Sequence, residues 1–422
     1  MKRRTTPVRT GIQALILAGG QGERLRPLTA SRPKPAVSFG GTFRIIDFTL
    51  SNCFHSGISN VSLLTQYGHE QLLDYVNEGW NDFWITGETG REPLRFLPPS
   101  NGRRYRGTAD AVFHNSRLLL ADTAETVLVL SGDHIYQMDY GDLLSRHMDM
   151  SADLTIATIE HPLEEATHFG VVEMAENLRV TGFEEKPANP SPMPSCPSAA
   201  LVSMGVYLFR KSVLLKSLQE VCGSGLGYDF GHDIIPSLIP AGRTYAYNFR
   251  DEVQNCSRYW RDIGTLDGYY ETSMDLVAPE PRFDPYANFR TPSQPTRHPV
   301  LNVRIRTGQS PTFGRGCEVA RTVVSQGVHV GDNAIVMDSV LMPGVQIGKG
   351  ARLNRTIIEE EVHIPAGYQA GYDRDQDGLH HIVTRNGVVV VSRIPEESRP
   401  ASVIFQNRGE LRQAMPGLRR SS

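Results

Sequence analysis

The feature that most restricts the fold is a repeat toward the C-terminal end. GRGCEVARTVVSQGVHV starts at Gly314, GDNAIVMDSVLMPGVQI at Gly331 and GKGARLNRTIIEEEVHI at Gly348, so successive copies begin 17 residues apart (331−314 and 348−331). Pro365 opens a fourth, partial copy. Three aligned sets are apolar throughout: Val319, Val336 and Leu353; Val323, Val340 and Ile357; Val328, Val345 and Val362. A unit this short cannot enclose a core alone, and short apolar runs at this interval describe coils of a parallel β-helix buried by stacking. His329 and His363 fall at equivalent positions two coils apart. β-helix acyltransferases use a histidine base, but these two are each flanked by core-facing branched residues, and strand alternation turns them outward. Both are read as surface histidines.

The repeat leaves most of the 422 residues to a second unit, as expected for a chain too long for one core. The boundaries read from composition are a basic extension at 1–11, a first domain at 12–278, a proline-rich linker at 279–299, the β-helix at 300–393 and a weakly periodic, arginine-bearing tail at 394–422 that is expected to be partly disordered. A formal net charge of −3 argues against a nucleic-acid partner, which calls for a basic excess. No apolar run reaches the roughly 18 residues of a membrane span, and the basic N-terminus lacks the apolar stretch of a signal peptide, so a cytoplasmic protein is expected. Five cysteines without CxxC spacing predict buried thiols rather than disulfides or a zinc site.

The first domain opens on LILAGGQGERLRPLT, residues 15–29. The apolar run ending at Leu17 suits a buried parallel strand. It breaks at Ala18 into Gly19, Gly20 and Gly22, where a glycine-rich turn can gather backbone N–H groups around anionic oxygens, and Arg24 and Arg26 add positive charge. The alternative is a plain strand-to-helix turn. Neither GxxxxGK[ST] nor GxGxxG fits the spacing. Lys34 is held between Pro33 and Pro35. NVSLLTQY reads as a second strand ending at Gln66, with a helical EQLLDYV after it. In YRGTADAVFHNSRLLL, Thr108 is placed to cap a helix carrying Ala109, Val112, Phe113, Leu119 and Leu120. Val127 to Leu130 form a continuous apolar run that delivers Asp133 at the carboxyl end of a strand, where ligands of open α/β sheets bind. A carboxylate beside a phosphate loop suits Mg²⁺, a hard cation; the bland reading is a helix-capping aspartate. VTGFEEKP ends a strand in Glu184, Glu185 and Lys186; SMGVYLF reads as a strand with Ser203 near its start; Asp229 and Asp233 flank a glycine turn; and Arg261 and Asp262 follow an aromatic pair.

Taken in order, GGxGxRL, KPAV, IIDFxLSN, YRGTADAV, GDHIY, EEKP, SMGVY and YWRDIGT, followed by a β-helix, resemble the bacterial glucose-1-phosphate adenylyltransferases, or ADP-glucose pyrophosphorylases, over roughly residues 14–392. The resemblance implies an α/β fold: a Rossmann-like nucleotidyltransferase domain with a mixed, mostly parallel sheet, followed by a left-handed parallel β-helix, in a homotetramer. It implies conversion of ATP and glucose 1-phosphate into ADP-glucose and pyrophosphate, the committed step of glycogen synthesis, with small-molecule allosteric effectors. Carried over residue by residue, Leu17, Ala18, Gly19, Gly20, Gly22, Arg24, Gln66, Gly107 and Thr108 would bind ATP, and Arg24 and Lys34 would assist catalysis. Asp133 and Asp262 would be both catalytic and the Mg²⁺ ligands. Tyr105, Gly170, Glu185, Lys186, Ser203, Asp229, Phe230 and Trp260 would bind glucose 1-phosphate, with Lys186 on its phosphate. Arg32, Gln66 and Arg104 match regulatory positions. The chain departs from the family at Ser31, where enteric members carry an activator-binding lysine, and at Pro33, Arg104 and His232. Two alternatives stay open: a sugar nucleotidyltransferase with another substrate pair, and a non-catalytic paralogue that binds sugar nucleotides.

Overall fold

The computed structural model describes residues 9–81, 84–85, 93–99, 103–240, 242–285, 296–298, 303–305 and 310–392. The tail at 394–422, and most of the expected N-terminal extension and linker, lie outside the described residues.

The first domain is built on a nine-stranded mixed sheet. Its centre is β1 (Arg9–Leu17), flanked in parallel by β2 (Ile58–Leu64) and by β3 (Thr126–Ser131). Side chains alternate across it. Ala14 and Ile16 meet Leu128 and Leu130 in one apolar layer, while Leu15 joins Val127 and Val129 in the other. Beyond β3 the sheet turns antiparallel through β4 (Ala199–Arg210), which starts well before the expected SMGVYLF segment and so puts Ser203 in its interior. The register of β4 slips between Ser203 and Tyr207, and Gly205 at φ 66° lies in that bulge. A separate antiparallel pair joins Trp260–Asp262 to His134–Tyr136 and sets Asp262 opposite His134.

Two local expectations are corrected. Thr108 does not cap its helix: the helix Thr108–His114 has Gly107 at its N-cap, and the Thr108 hydroxyl donates to Asp229 Oδ2 at 2.8 Å. The apolar periodicity also spans two helices, because Asn115 separates Thr108–His114 from Ser116–Ala121, and Leu120 ends on the surface. Around Asp229 the chain forms a helical turn, Phe230–Ile234, rather than a glycine turn; Asp229 caps it by accepting from the N–H groups of Gly231 and His232. The thiols also differ from expectation, since Cys53 and Cys222 are buried but Cys256 is exposed.

The repeat folds as stacked coils with three parallel ladders, consistent with a left-handed β-helix. Val319 pairs in register with Val336 and then Leu353, and Val323 with Val340 and then Ile357. His329 and His363 are exposed. The fourth coil breaks the period. Instead of continuing, the chain inserts a helix at Arg374–His380 and returns through an antiparallel pair, so that Val390 takes the position next to Ile357. Val323, Val340, Ile357 and Val390 share one apolar cluster with Leu25, Leu28, Phe39 and Tyr269 of the first domain. No helix among the described residues is long and apolar enough to cross a membrane.

Candidate active site

The glycine loop follows β1 directly. Ala18 still donates to the Leu64 carbonyl at 2.9 Å, after which the N–H groups of Gly19, Gly20, Gln21 and Gly22 have no backbone partner among the described residues. Gly22 adopts φ 65°, and a side chain there would lie 2.9 Å from the Thr29 methyl and 3.0 Å from Lys34 Cβ. Thr29 fixes the turn by donating to the Gly22 carbonyl at 2.8 Å, and buried Leu25 anchors it beneath. Arg24 projects from the other side, exposed and without an ion pair among the described residues. It reaches Gly264, at which a β-carbon would sit 3.2 Å from Arg24 Nη2 and 3.1 Å from Asp262 Oδ2.

The prolines around Lys34 bury it and aim it at two carboxylates. Its ammonium donates to Asp133 Oδ2 at 2.7 Å and to Asp262 Oδ1 at 3.1 Å. Burial alone would favour the neutral amine, yet the two facing carboxylates outweigh it and hold the Lys34 pKa above its ordinary value. Burial would likewise raise the Asp133 pKa, but Lys34 opposite and the Ser131 hydroxyl hold it well below the usual carboxylate range. Sequence reasoning missed His134. Its Nε2 lies 3.5 Å from Asp133 Oδ1 and 3.6 Å from Asp262 Oδ1, and the Asp133, His134 and Asp262 donors all fall within 4.8 Å of one another. Two carboxylates and an imidazole suit a divalent cation in number and chemistry, and bridging Lys34 shows that the site already demands positive charge.

The remaining predicted residues surround this centre unevenly. Gln66 accepts from the Tyr105 N–H, and the Tyr105 hydroxyl donates to the Leu97 carbonyl, tying the ends of two parallel strands to the segment before Gly107. Gly107 packs so closely on the Tyr228 carbonyl that Ala109 N donates to the same oxygen at 2.8 Å. Glu185 pairs with exposed Lys186 at 2.8 Å and lies against Gly170 and Gly231. Ser203 donates to the Tyr207 hydroxyl at 3.0 Å. Phe230 is buried among Tyr207 and Phe209, and the Asp229 carboxylate is occupied by its cap and Thr108, so neither side chain is open to a ligand as arranged here. Trp260 stacks edgewise on His134 and Phe169, and its buried indole N–H has no partner among the described residues. Arg104 lies over the Tyr67 ring, exposed, away from the Lys34 cluster's ion pairs. Ser31 and His232 are exposed. Arg32 reaches across to the β-helix and pairs with Glu360, which also accepts from Ser38 at 2.6 Å.

A glycine-rich loop after the first strand, with carboxylates and a lysine at the strand ends, defines a nucleotidyltransferase, and residues 13–278 match the family described as Nucleotidyl transferase. Residues 298–391 match the family described as GlmU-like, C-terminal hexapeptide. Glucose-1-phosphate adenylyltransferase 2 of Vibrio cholerae is 41% identical over 397 residues, 90% of this chain and 97% of that protein. The glucose-1-phosphate adenylyltransferases of Nitrosospira multiformis and Paramagnetospirillum magneticum are 39% and 40% identical, each over 90% of this chain and covering 93% and 92% of the relatives. The chain belongs to the glucose-1-phosphate adenylyltransferase family.

Proposed function

We propose that the chain transfers an adenylyl group from ATP to glucose 1-phosphate, releasing pyrophosphate and forming ADP-glucose for glycogen synthesis. The observation that carries this reading is the convergence of Lys34, Asp133 and Asp262 beside a glycine loop whose N–H groups have no backbone partner among the described residues. A sugar phosphate oxygen attacks the α-phosphorus, a new P–O bond forms, and the bond from that phosphorus to the bridging oxygen of pyrophosphate breaks. The second pKa of a phosphate monoester is about 6, so the nucleophile is already anionic at neutral pH and no strong base is needed. What the reaction requires is alignment and charge neutralisation. The loop N–H groups and Arg24 hold the ATP phosphates, and Lys34 turns from the carboxylates to the departing pyrophosphate. Gln66, Gly107 and Thr108 frame the adenine. Lys186 receives the sugar phosphate, while Tyr105, Gly170, Glu185, Ser203, Asp229, Phe230 and Trp260 shape the glucose side, Asp229 and Phe230 through their backbone. A Mg²⁺ held by Asp133 and Asp262, when bound, supplies electrostatic stabilisation of the phosphates.

The boundaries proposed for the two units are 12–278 and 300–393. The enzyme works in the cytoplasm as a homotetramer, with effectors acting near Arg32, Gln66 and Arg104; the Arg32–Glu360 pair across the two units supports a regulatory link. The test is pyrophosphate release from glucose 1-phosphate with each common NTP. Release with ATP foremost is expected. Release only with another NTP would move the substrate pair, and none with any NTP would leave a sugar-nucleotide binding protein.

A further inference from the structure

We infer that His134 is a third direct ligand of the divalent cation, binding through Nε2 beside Asp133 and Asp262; this rests on the metal site proposed above. The ring is fixed from two directions. Nδ1 lies 3.0 Å from the Met204 carbonyl, which can only accept, so Nδ1 is the donor there and Nε2 is left facing the two carboxylates. Trp260 holds one side of the ring in an edge-to-face contact with centroids 5.1 Å apart. The bulge in β4 supplies the Met204 carbonyl, and Gly205 at φ 66° lets it come close: a β-carbon there would sit 3.2 Å from the imidazole carbon between the two nitrogens. A carbonyl that sets the tautomer while the other nitrogen faces an ion is the usual outer support of a metal-binding histidine.

The distances suit a common ion. Opposite ligands of an octahedral cation, each at about 2.1 Å, lie about 4.2 Å apart, and adjacent ones lie closer. The Nε2 separations of 3.5 and 3.6 Å from the two carboxylate oxygens fall inside that range. An imidazole ligand changes selectivity as well as affinity. Mg²⁺ prefers oxygen donors, whereas the first-row divalent ions accept an imidazole nitrogen more readily, Mn²⁺ least among them and the later ions progressively more. The protein should therefore hold Mn²⁺ more tightly than two carboxylates alone would, and the excess should belong to His134.

The probe is Mn²⁺, added to the full-length protein with and without α,β-methylene-ATP and followed by electron spin echo modulation. Modulation from a directly bound imidazole nitrogen is expected in the native protein, a readout that needs no substitution. In His134→Gln that signal should vanish and Mn²⁺ affinity should fall about tenfold or more, with Mg²⁺ affinity changed less than about threefold. Absence of nitrogen modulation in the native protein, in both conditions, overturns the assignment of His134. Asp133→Asn separates the two readings. If it leaves Mn²⁺ bound as tightly as in the native protein, the metal site itself is wrong.

Discussion

At the scale of single residues, the centre is governed by a competition for two carboxylates. Lys34 contacts both Asp133 and Asp262, so its ammonium and the proposed divalent cation would seek the same oxygens. Lys34→Met removes the internal competitor: the variant should bind Mn²⁺ more tightly in the absence of nucleotide, by isothermal titration, while kcat falls about a hundredfold or more because the leaving pyrophosphate loses a cation. Asp133→Asn should lose most of kcat while ADP-glucose binding partly survives; near-normal turnover would remove Asp133 from the mechanism. Lys34 and Asp133 were legible as candidates, because a proline bracket and an apolar strand each announce where a polar residue must emerge. His134 was not. Its position depends on the Met204 carbonyl, 70 residues away in a bulge with no local signature.

At the scale of elements, the proposed adenine side depends on a helix start packed against a distant backbone. A β-carbon at Gly107 would come within 2.3 Å of the Tyr228 carbonyl oxygen, and backbone cannot give way as a flexible side chain can. Gly107→Ala should destabilise the fold by about 1–3 kcal/mol, read as a lower urea midpoint with an unchanged slope, and should raise the KM for ATP. The sequence shows a Gly-Thr pair before an apolar helical pattern, which invites a capping assignment; the real partner of Thr108 is Asp229, beyond reach of local reasoning. The β-helix was far more legible, since its contacts repeat at a fixed interval. Its corners repeat too: Arg321, Asp338 and Arg355 all hold positive φ, and Arg321 pairs with Asp338. The fourth coil escaped because its strand comes not 17 but 33 residues after Ile357, at Val390.

At the scale of the whole molecule, the two units share a core. Ile357 of the β-helix and Leu25 of the loop belong to the same apolar cluster, and the Tyr270 hydroxyl donates across to the Asp338 carbonyl at 2.7 Å. Ile357→Ala should cost about 2–5 kcal/mol, and differential scanning calorimetry should show the first unit losing stability with the second rather than two separate transitions. Acid should act on the fold through His147, which is buried against Thr155 with its pKa pushed down to about 4. The unfolded chain takes up this proton near pH 6.5 and the folded one only near 4, so stability is full above 6.5 and falls as the pH drops through that window. His147→Gln should flatten the melting temperature against pH across that range.

The interrupted last coil carries a consequence for assembly. A parallel stack whose final strand matched the repeat would offer the next chain an open backbone edge in register, the geometry from which filaments grow. On the face that carries Val323, Val340 and Ile357, the strand Val389–Val391 is covered by antiparallel Ile382–Val383 instead. The departure from periodicity thus serves as a stop codon written in hydrogen bonds: that ladder ends where the chain folds back on itself, and association must use other surfaces.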